Sequence, residues 1–219
     1  MPYRRTENVV RRLAEREETI LAAASAAAAE GGMSAVQIAP VAERAGIAAG
    51  TVYRYFPSKT DLVAELVAAI ASRELNAMRF AADSAPGPLS ALAAAIATFA
   101  ARALNERRLA WAVIAEPVDA EVDAVRRDFR ETLVAEVETR IRAAIAGGHL
   151  PEQDARVAAP AIVGALMEGL IGPLAPEQNG EAGHAREAVQ TVTLLAMRAL
   201  GVVDARARGL VAQCVLPAI

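Results

Sequence analysis

Three of the chain's eight aromatic residues fall within four positions, Tyr53-Arg54-Tyr55-Phe56, and its only lysine, Lys59, follows three residues later. Thr51 stands just before them, preceded by the small residues Ala49 and Gly50. Phenols and a hydroxyl can bond phosphate oxygens, and a guanidinium can reach a phosphate or the edge of a guanine. An ammonium on a flexible stem is a point charge for the same anion. Small residues permit close approach. As a set these groups suit recognition of a polyanion rather than the making or breaking of bonds. Every other cation is arginine, a bias that goes with the alanine-rich composition as a whole, so the position of the exception carries more weight than the bias. Phe56 reads as core, packing its helix onto the first one.

The groups share a face only if the segment is helical and braced. Ile38, Val41, Ala42 and Ala45 give a short helix an inward face, and Pro40 sits where a first-turn proline is tolerated. Gly46 allows a tight turn, and Ala49 to Phe56 makes about two helical turns stopped by Pro57. Ile47 and Val52 would plug the angle between the two helices, which leaves Ala49, Gly50, Thr51, Tyr53, Arg54 and Tyr55 outward. Two short helices about a glycine turn fit a helix-turn-helix. Upstream, Leu13, Ile20, Ala24 and Ala27 trace a helix over Glu7 to Glu30, ended by Gly31-Gly32. Downstream, Ser58 is an N-cap with Asp61 three residues on, opening a helix to Asp83 with Lys59 in its first turn, where the helix dipole favours an anion.

Beyond the break Ser84-Ala85-Pro86-Gly87-Pro88, helices are expected at 88–105, 107–116, 119–146, 154–172, 184–200 and 204–214, punctuated by Pro117, Gly147-Gly148, Pro151, Pro173, Pro176 and Gly180. The expected organisation is a helix-turn-helix domain over residues 1–57, linked by the helix 58–83 to a larger helical domain over 58–219, which the family resemblance given below makes a DNA-binding domain and a ligand-binding and dimerisation domain. The fold class is all-α: among 219 residues 54% are hydrophobic, alanine dominates them, only 4% are aromatic, and no period-2 alternation is visible. Eight cations against six carboxylates in residues 1–60 leave a mildly basic head on a chain of net charge −3.

Composition also excludes classes. A single cysteine, Cys214, makes no intrachain disulfide. No run approaches about 20 uninterrupted apolar residues, and Met1 to Glu18 lacks the apolar stretch of a signal peptide, so a cytoplasmic protein without a membrane partner is expected. His149 and His184 are the only histidines, both beside glycines, and no metal-ligand, phosphate-loop, dinucleotide or nucleophile-elbow spacing occurs. No enzyme, cofactor or metal site is expected. Arg126-Arg127-Asp128 and the Glu136/Arg140 pair read as solvated helix faces.

The run Val41-Ala42-Glu43-Arg44-Ala45-Gly46-Ile47-Ala48-Ala49-Gly50-Thr51-Val52-Tyr53-Arg54-Tyr55-Phe56-Pro57-Ser58-Lys59-Thr60-Asp61-Leu62 resembles the DNA-binding signature of TetR/AcrR-type transcriptional regulators, and the likeness extends over residues 12–65. The rest resembles the family in length and helicity only. The resemblance implies that Thr51 touches backbone or a base edge, that Tyr53 and Tyr55 clamp phosphates, and that Lys59 contacts a phosphate. Ala48 departs from the Ser or Thr common before the recognition helix, and Gln37 stands where Thr is common. Gln37, Thr51, Tyr53 and Arg54 are then the candidate base readers, with Ala49 and Gly50 at the same face. It implies further a repressor that binds a palindromic operator as a dimer and is released by a small apolar inducer. The alternative is a helical dimeric interaction module without DNA binding or ligand response.

The segment 160–171 is apolar nearly all round, the signature of a helix buried on two sides. Ala161, Ala165 and Gly169, with Gly164 beside them, would allow close helix approach, and Ala188, Val192 and Leu195 mark a similar face on the following helix. The resemblance makes these two helices the homodimer interface; a monomer core is the other reading. It also implies a ligand pocket between the fourth to eighth helices, for which Phe80, Phe99, Trp111, Phe129 and Met167 are the candidate lining. Asn105, Glu116 and Glu168 could anchor a polar group there or lie at helix ends.

Overall fold

The computed structural model of the chain describes residues 3–176 and 182–216, without the side chains of 3–7, 182 and 183. Gly180, expected to break a helix, lies outside the described residues. The described structure is all-α: α1 Tyr3–Gly31, a single 3-10 turn Met33–Ala35, α2 Ile38–Arg44, α3 Ala49–Tyr55, α4 Lys59–Asp83, α5 Pro88–Asn105, α6 Arg107–Ile114, α7 Ala120–Ala146, α8 Ala155–Leu170, α9 Ala182–Ala199 and α10 Asp204–Gln213. The helices fall where spacing and Gly/Pro punctuation put them. The 3-10 turn has no periodic signal of its own.

Residue contacts divide the chain into two compact units that cut across the expected boundary at 57/58. One holds Met1–Ile70 with Trp111–Arg126, the other Ala71–Ala110 with Arg127–Ile219. The reason is that Leu62, Val63, Leu66 and Val67 on the first half of α4 bury with the N-terminal helices, so that stretch is core of the first unit rather than a bare linker.

In the first unit α1 turns Ile20, Ala24, Ala27 and Ala28 into the core. Leu13, expected on that stripe, is exposed together with Val9 and Val10, because the helix runs on beyond the elements that could cover it. Gly32 ends α1 with a positive φ of 75°. A Cβ there would also meet the Glu116 carboxylate at 2.5 Å. That carboxylate accepts the Met33 amide N–H at 3.0 Å, so Glu116, just past the end of α6, holds the turn between α1 and α2. Thr60 on α4 donates to Asp119 at 3.0 Å.

Arg126 is a correction to the solvated-face reading: it is 5% exposed. Its guanidinium donates to the Ala112 carbonyl at 2.5 Å and to the Glu116 carbonyl. Those carbonyls lie in the last turn of α6 and just past it, where a helix has no internal donors left and a cation meets the negative end of the dipole. Arg126 therefore caps α6 from α7.

In the second unit α5 is buried on almost every side, a helix of alanines with Leu92, Ile96 and Phe99 among them. It is long and apolar enough by composition to cross a membrane, and most of it is buried inside the protein. The helices α8, α9 and α10 pack with it. Glu136 and Arg140 also exceed the solvated-face reading. Arg79 reaches Glu136 at 2.9 Å, while Arg140 bridges Glu136 and Asp83, each at 2.8 Å. Burial alone would raise the Glu136 pKa, and the bonds from Arg79 and Arg140 outweigh it and hold the carboxylate below its ordinary range.

Replacing Arg126 by Met keeps the bulk and strands the buried Ala112 carbonyl and the part-buried Glu116 carbonyl. The expected outcome is a loss of about 2–3 kcal/mol in unfolding free energy, read from urea denaturation at constant m-value. A change within error would remove the capping role.

Candidate nucleic-acid interface

The recognition element is built from a very short helix, so its orientation comes from what it buries. Val52 is fully buried and Phe56 nearly so, with Ile47 half-buried beside them. Gly46 makes the turn with φ 65°, and the amide of Ile47 closes onto the Ala42 carbonyl at 3.0 Å. With the inner face pinned this way, Gly50, Tyr53 and Arg54 share the exposed face at positions i, i+3 and i+4, flanked by half-buried Ala49, Thr51 and Tyr55. Tyr53 is 53% exposed although nothing apolar forces it out. Nothing lies within 4 Å of a Cβ built on Gly50, so internal packing does not require its smallness.

The site's polar heads are unengaged. Among the described residues the side chains of Thr51, Tyr53, Arg54, Tyr55 and Lys59 make no hydrogen bond or ion pair, whereas nearby groups do. Arg44 is committed to Glu30 by two bonds of 2.7 and 2.5 Å that join the ends of α2 and α1, which raises the Arg44 pKa and lowers that of Glu30 through the hydrogen bonds. Gln37 is partly withdrawn: it is the N-cap residue of α2, and its amide donates to the Ser34 carbonyl at 2.9 Å.

Ala48 is the N-cap residue of α3 with no side-chain cap, as its residue type dictates. The start of α4 is the opposite case. Asp61 accepts the Ser58 amide at 2.9 Å and the Ser58 hydroxyl at 2.7 Å, and its own amide donates back to that hydroxyl at 3.1 Å. This reciprocal cap is legible in the spacing Ser58-x-x-Asp61. It also corrects the dipole argument: an acidic side chain already occupies the α4 N-terminus beside Lys59, which is half-buried at the first position.

The five aromatic and methionine candidates for a pocket are not brought together. Phe99 and Phe129 are core, Met167 is half-buried on α8, and Trp111 belongs to the first unit rather than the second. Phe80 borders a cavity formed by α4, α5 and α10, and the other four do not line that cavity. Helical position tells which residues share a face, and which face is covered depends on neighbours distant in sequence. On α8, Ala161, Gly164, Ala165 and Gly169 are all exposed, along with Glu168 and Val157. On α9, Leu195 is 58% exposed and Ala188 half-buried. Val192 departs from the expected interface: it is buried beside Val189, Ala196 and Met197 within the protein's own core. The residues that spacing did not reveal are Glu116, whose partner Met33 lies far back along the chain, and Arg126, whose partners Ala112 and Glu116 lie on the preceding helix and just past it.

Residues 20–66 match the model of the bacterial regulatory proteins of the tetR family. The HTH-type transcriptional repressor KstR of Rhodococcus jostii (strain RHA1) is 49% identical over 73 residues, 33% of this chain and 32% of that protein. The match thus spans about a third of that curated relative's length. Among solved structures, RolR in complex with the ligand resorcinol is 19% identical, covering 95% of this chain and 98% of that one with a TM-score of 0.66. The transcriptional regulator FadR from Bacillus subtilis in complex with stearoyl-CoA is 20% identical, covering 80% and 97% of the two chains with a TM-score of 0.68. These two share the all-α fold. Residues 20–66, which hold the helix-turn-helix described above, are thus similar to the bacterial regulatory proteins of the tetR family.

Proposed function

We propose that the protein is a cytoplasmic transcriptional repressor that binds a palindromic operator in double-stranded DNA as a homodimer and leaves it when a small, mainly apolar inducer binds its second unit. The observation that carries the reading is the row of unengaged polar heads along α3 and into α4, on a helix-turn-helix within the residues that match the family. A short helix presenting a hydroxyl, two phenols and a guanidinium, with an ammonium at the start of the next helix, has its counterpart in a major groove and its flanking phosphates. The resorcinol and stearoyl-CoA held by two proteins of the same fold support a ligand response. The exposed small residues of α8 with Leu195 of α9 support an interface between copies.

The mechanism follows from geometry. Two recognition helices on one dimer must match half-sites about 34–36 Å apart, so a small change in their spacing is enough to mismatch them. Lys59, Tyr53 and Tyr55 position the protein on the backbone, while Thr51 and Arg54 face base edges, with Gln37 contributing through whatever its bond to Ser34 leaves free. A dimeric helical module that does not bind DNA is the competing reading, and a gel shift with the DNA upstream of its own gene separates the two.

Lys59→Ala is expected to weaken operator and scrambled DNA alike and to reduce the slope of log affinity against log salt by about one per binding unit. Tyr55→Phe removes a neutral bond, so a loss of about 0.5–1.5 kcal/mol with an unchanged slope is expected. Arg54→Ala should relax specificity at one base pair per half-site, at about 1–3 kcal/mol. An unchanged affinity and slope for Lys59→Ala would sink its phosphate role.

Ala165→Glu places a charge at the centre of the proposed α8 interface and should convert dimer to monomer in sedimentation velocity. A wild-type dimer would reassign the interface. Inducer and operator should oppose each other by the same factor, about 1–3 kcal/mol of coupling. Equal inducer affinity with and without operator would contradict release by this route.

A further inference from the structure

We propose that the second unit binds a neutral, largely apolar small molecule carrying one hydrogen-bonding oxygen, in the open cavity between α4, α5 and α10, with that oxygen at Thr98 and Arg102. The inference deepens the ligand-responsive reading and rests on it only for the consequence, release of DNA.

The cavity measures about 600 Å³, within the size range of small-molecule sites. It exists because Ala77 and Ala81 on α4 face Ala94 on α5, where larger side chains would close the gap, with Leu210 and Val215 forming the remaining wall. Phe80 and Val215, both at this cavity, are 77% and 91% exposed, so large apolar surface stands open beside it.

The second observation is Thr98, a cavity-lining side chain only 6% exposed. Its hydroxyl makes no hydrogen bond among the described residues. A helical threonine can return its proton to the carbonyl four residues back, and Thr193, also buried in this unit, does so with Val189 at 2.7 Å. Thr98 does not, and its hydroxyl, open to the cavity it lines, is left to bond whatever occupies that space.

Charge selects the ligand class. Arg102, one turn beyond Thr98, borders the cavity, but its Nε and Nη2 are held by Glu74 at 2.5 and 2.9 Å. Glu74 also accepts from Arg73 at 3.0 Å, and Arg73 reaches Glu106 at 3.4 Å. Two cations and two carboxylates leave that end neutral, with a fixed guanidinium edge able to donate. Burial pushes the Cys214 thiol up, so it forms a neutral wall rather than an anionic one. A hydroxyl or carbonyl on an apolar body meets both Thr98 and Arg102, and a full charge meets no counter-charge.

Nile red, neutral and apolar with one carbonyl, is the probe. Full-length protein should bind it saturably with blue-shifted emission. Thr98→Val, which keeps the shape and removes the hydroxyl, should weaken binding about fivefold. Ala94→Phe should abolish it with an unchanged circular dichroism melt. Alkylation of Cys214, the only cysteine, by N-ethylmaleimide should slow as Nile red saturates. Wild-type Nile red affinity in both variants, or palmitate binding as tightly as Nile red, would overturn the proposal. So would a Cys214 closed to N-ethylmaleimide without Nile red, which would show protein covering the cavity. Operator binding, measured separately, distinguishes the failures: its absence with Nile red binding intact defeats the repressor reading alone, and an Ala94→Phe protein that holds operator but ignores Nile red supports both.

Discussion

A seven-residue helix is not stable in water by its own hydrogen bonds, and α3 exists because Val52 and Phe56 are buried. That constraint orders the rest of the first unit. The two side chains fix the rotation of the helix, and rotation alone decides that Gly50, Tyr53 and Arg54 face out. It also explains why the weak start of α3 is tolerated. Ala48 supplies no cap, worth about 1 kcal/mol elsewhere, and burial of the inner face offsets it. The face is thus fixed in orientation by burial of its inner side and unengaged in its outward side chains.

The first unit is not a simple N-terminal segment. Residues 111–126 return to it, and their ties are polar and specific. Glu116 holds the turn before α2, Asp119 holds Thr60 at the start of α4, and Arg126 closes the end of α6. Each acts on the end of a helix, where backbone groups lack internal partners. Helices set the scaffold by burial, and these side chains settle where they stop.

Alanine dominates the second unit and has two consequences there. On α5 it lets neighbouring helices approach closely, so that a helix with few large side chains is nonetheless buried nearly all round. Where α4, α5 and the α10 end do not close on one another, the same small side chains leave space, and the cavity with Thr98 results. A core made from small residues packs well only where backbones can come together.

The sequence by itself determined the helices, the helix-turn-helix and the face it presents. Each is a local matter: apolar spacing of three and four, Gly46 at the turn, Pro57 at the stop, the Ser58/Asp61 cap. The outward set of α3 was legible because a short helix with two obligatory inward residues has one possible rotation. Tertiary structure alone decided which faces are covered. Leu13 continues the stripe of Ile20 yet lies open, Val192 looks like an interface residue yet lies in the core, and Arg126 looks solvated yet is buried over the end of α6. Of the aromatic pocket candidates only Phe80 lines the cavity between α4, α5 and α10, whose walls hold Ala77, Ala81 and Ala94 with Thr98 among them. The physical reason is the same in each case: periodicity assigns a side chain to a face, and only packing against segments far along the chain determines whether that face meets protein or water.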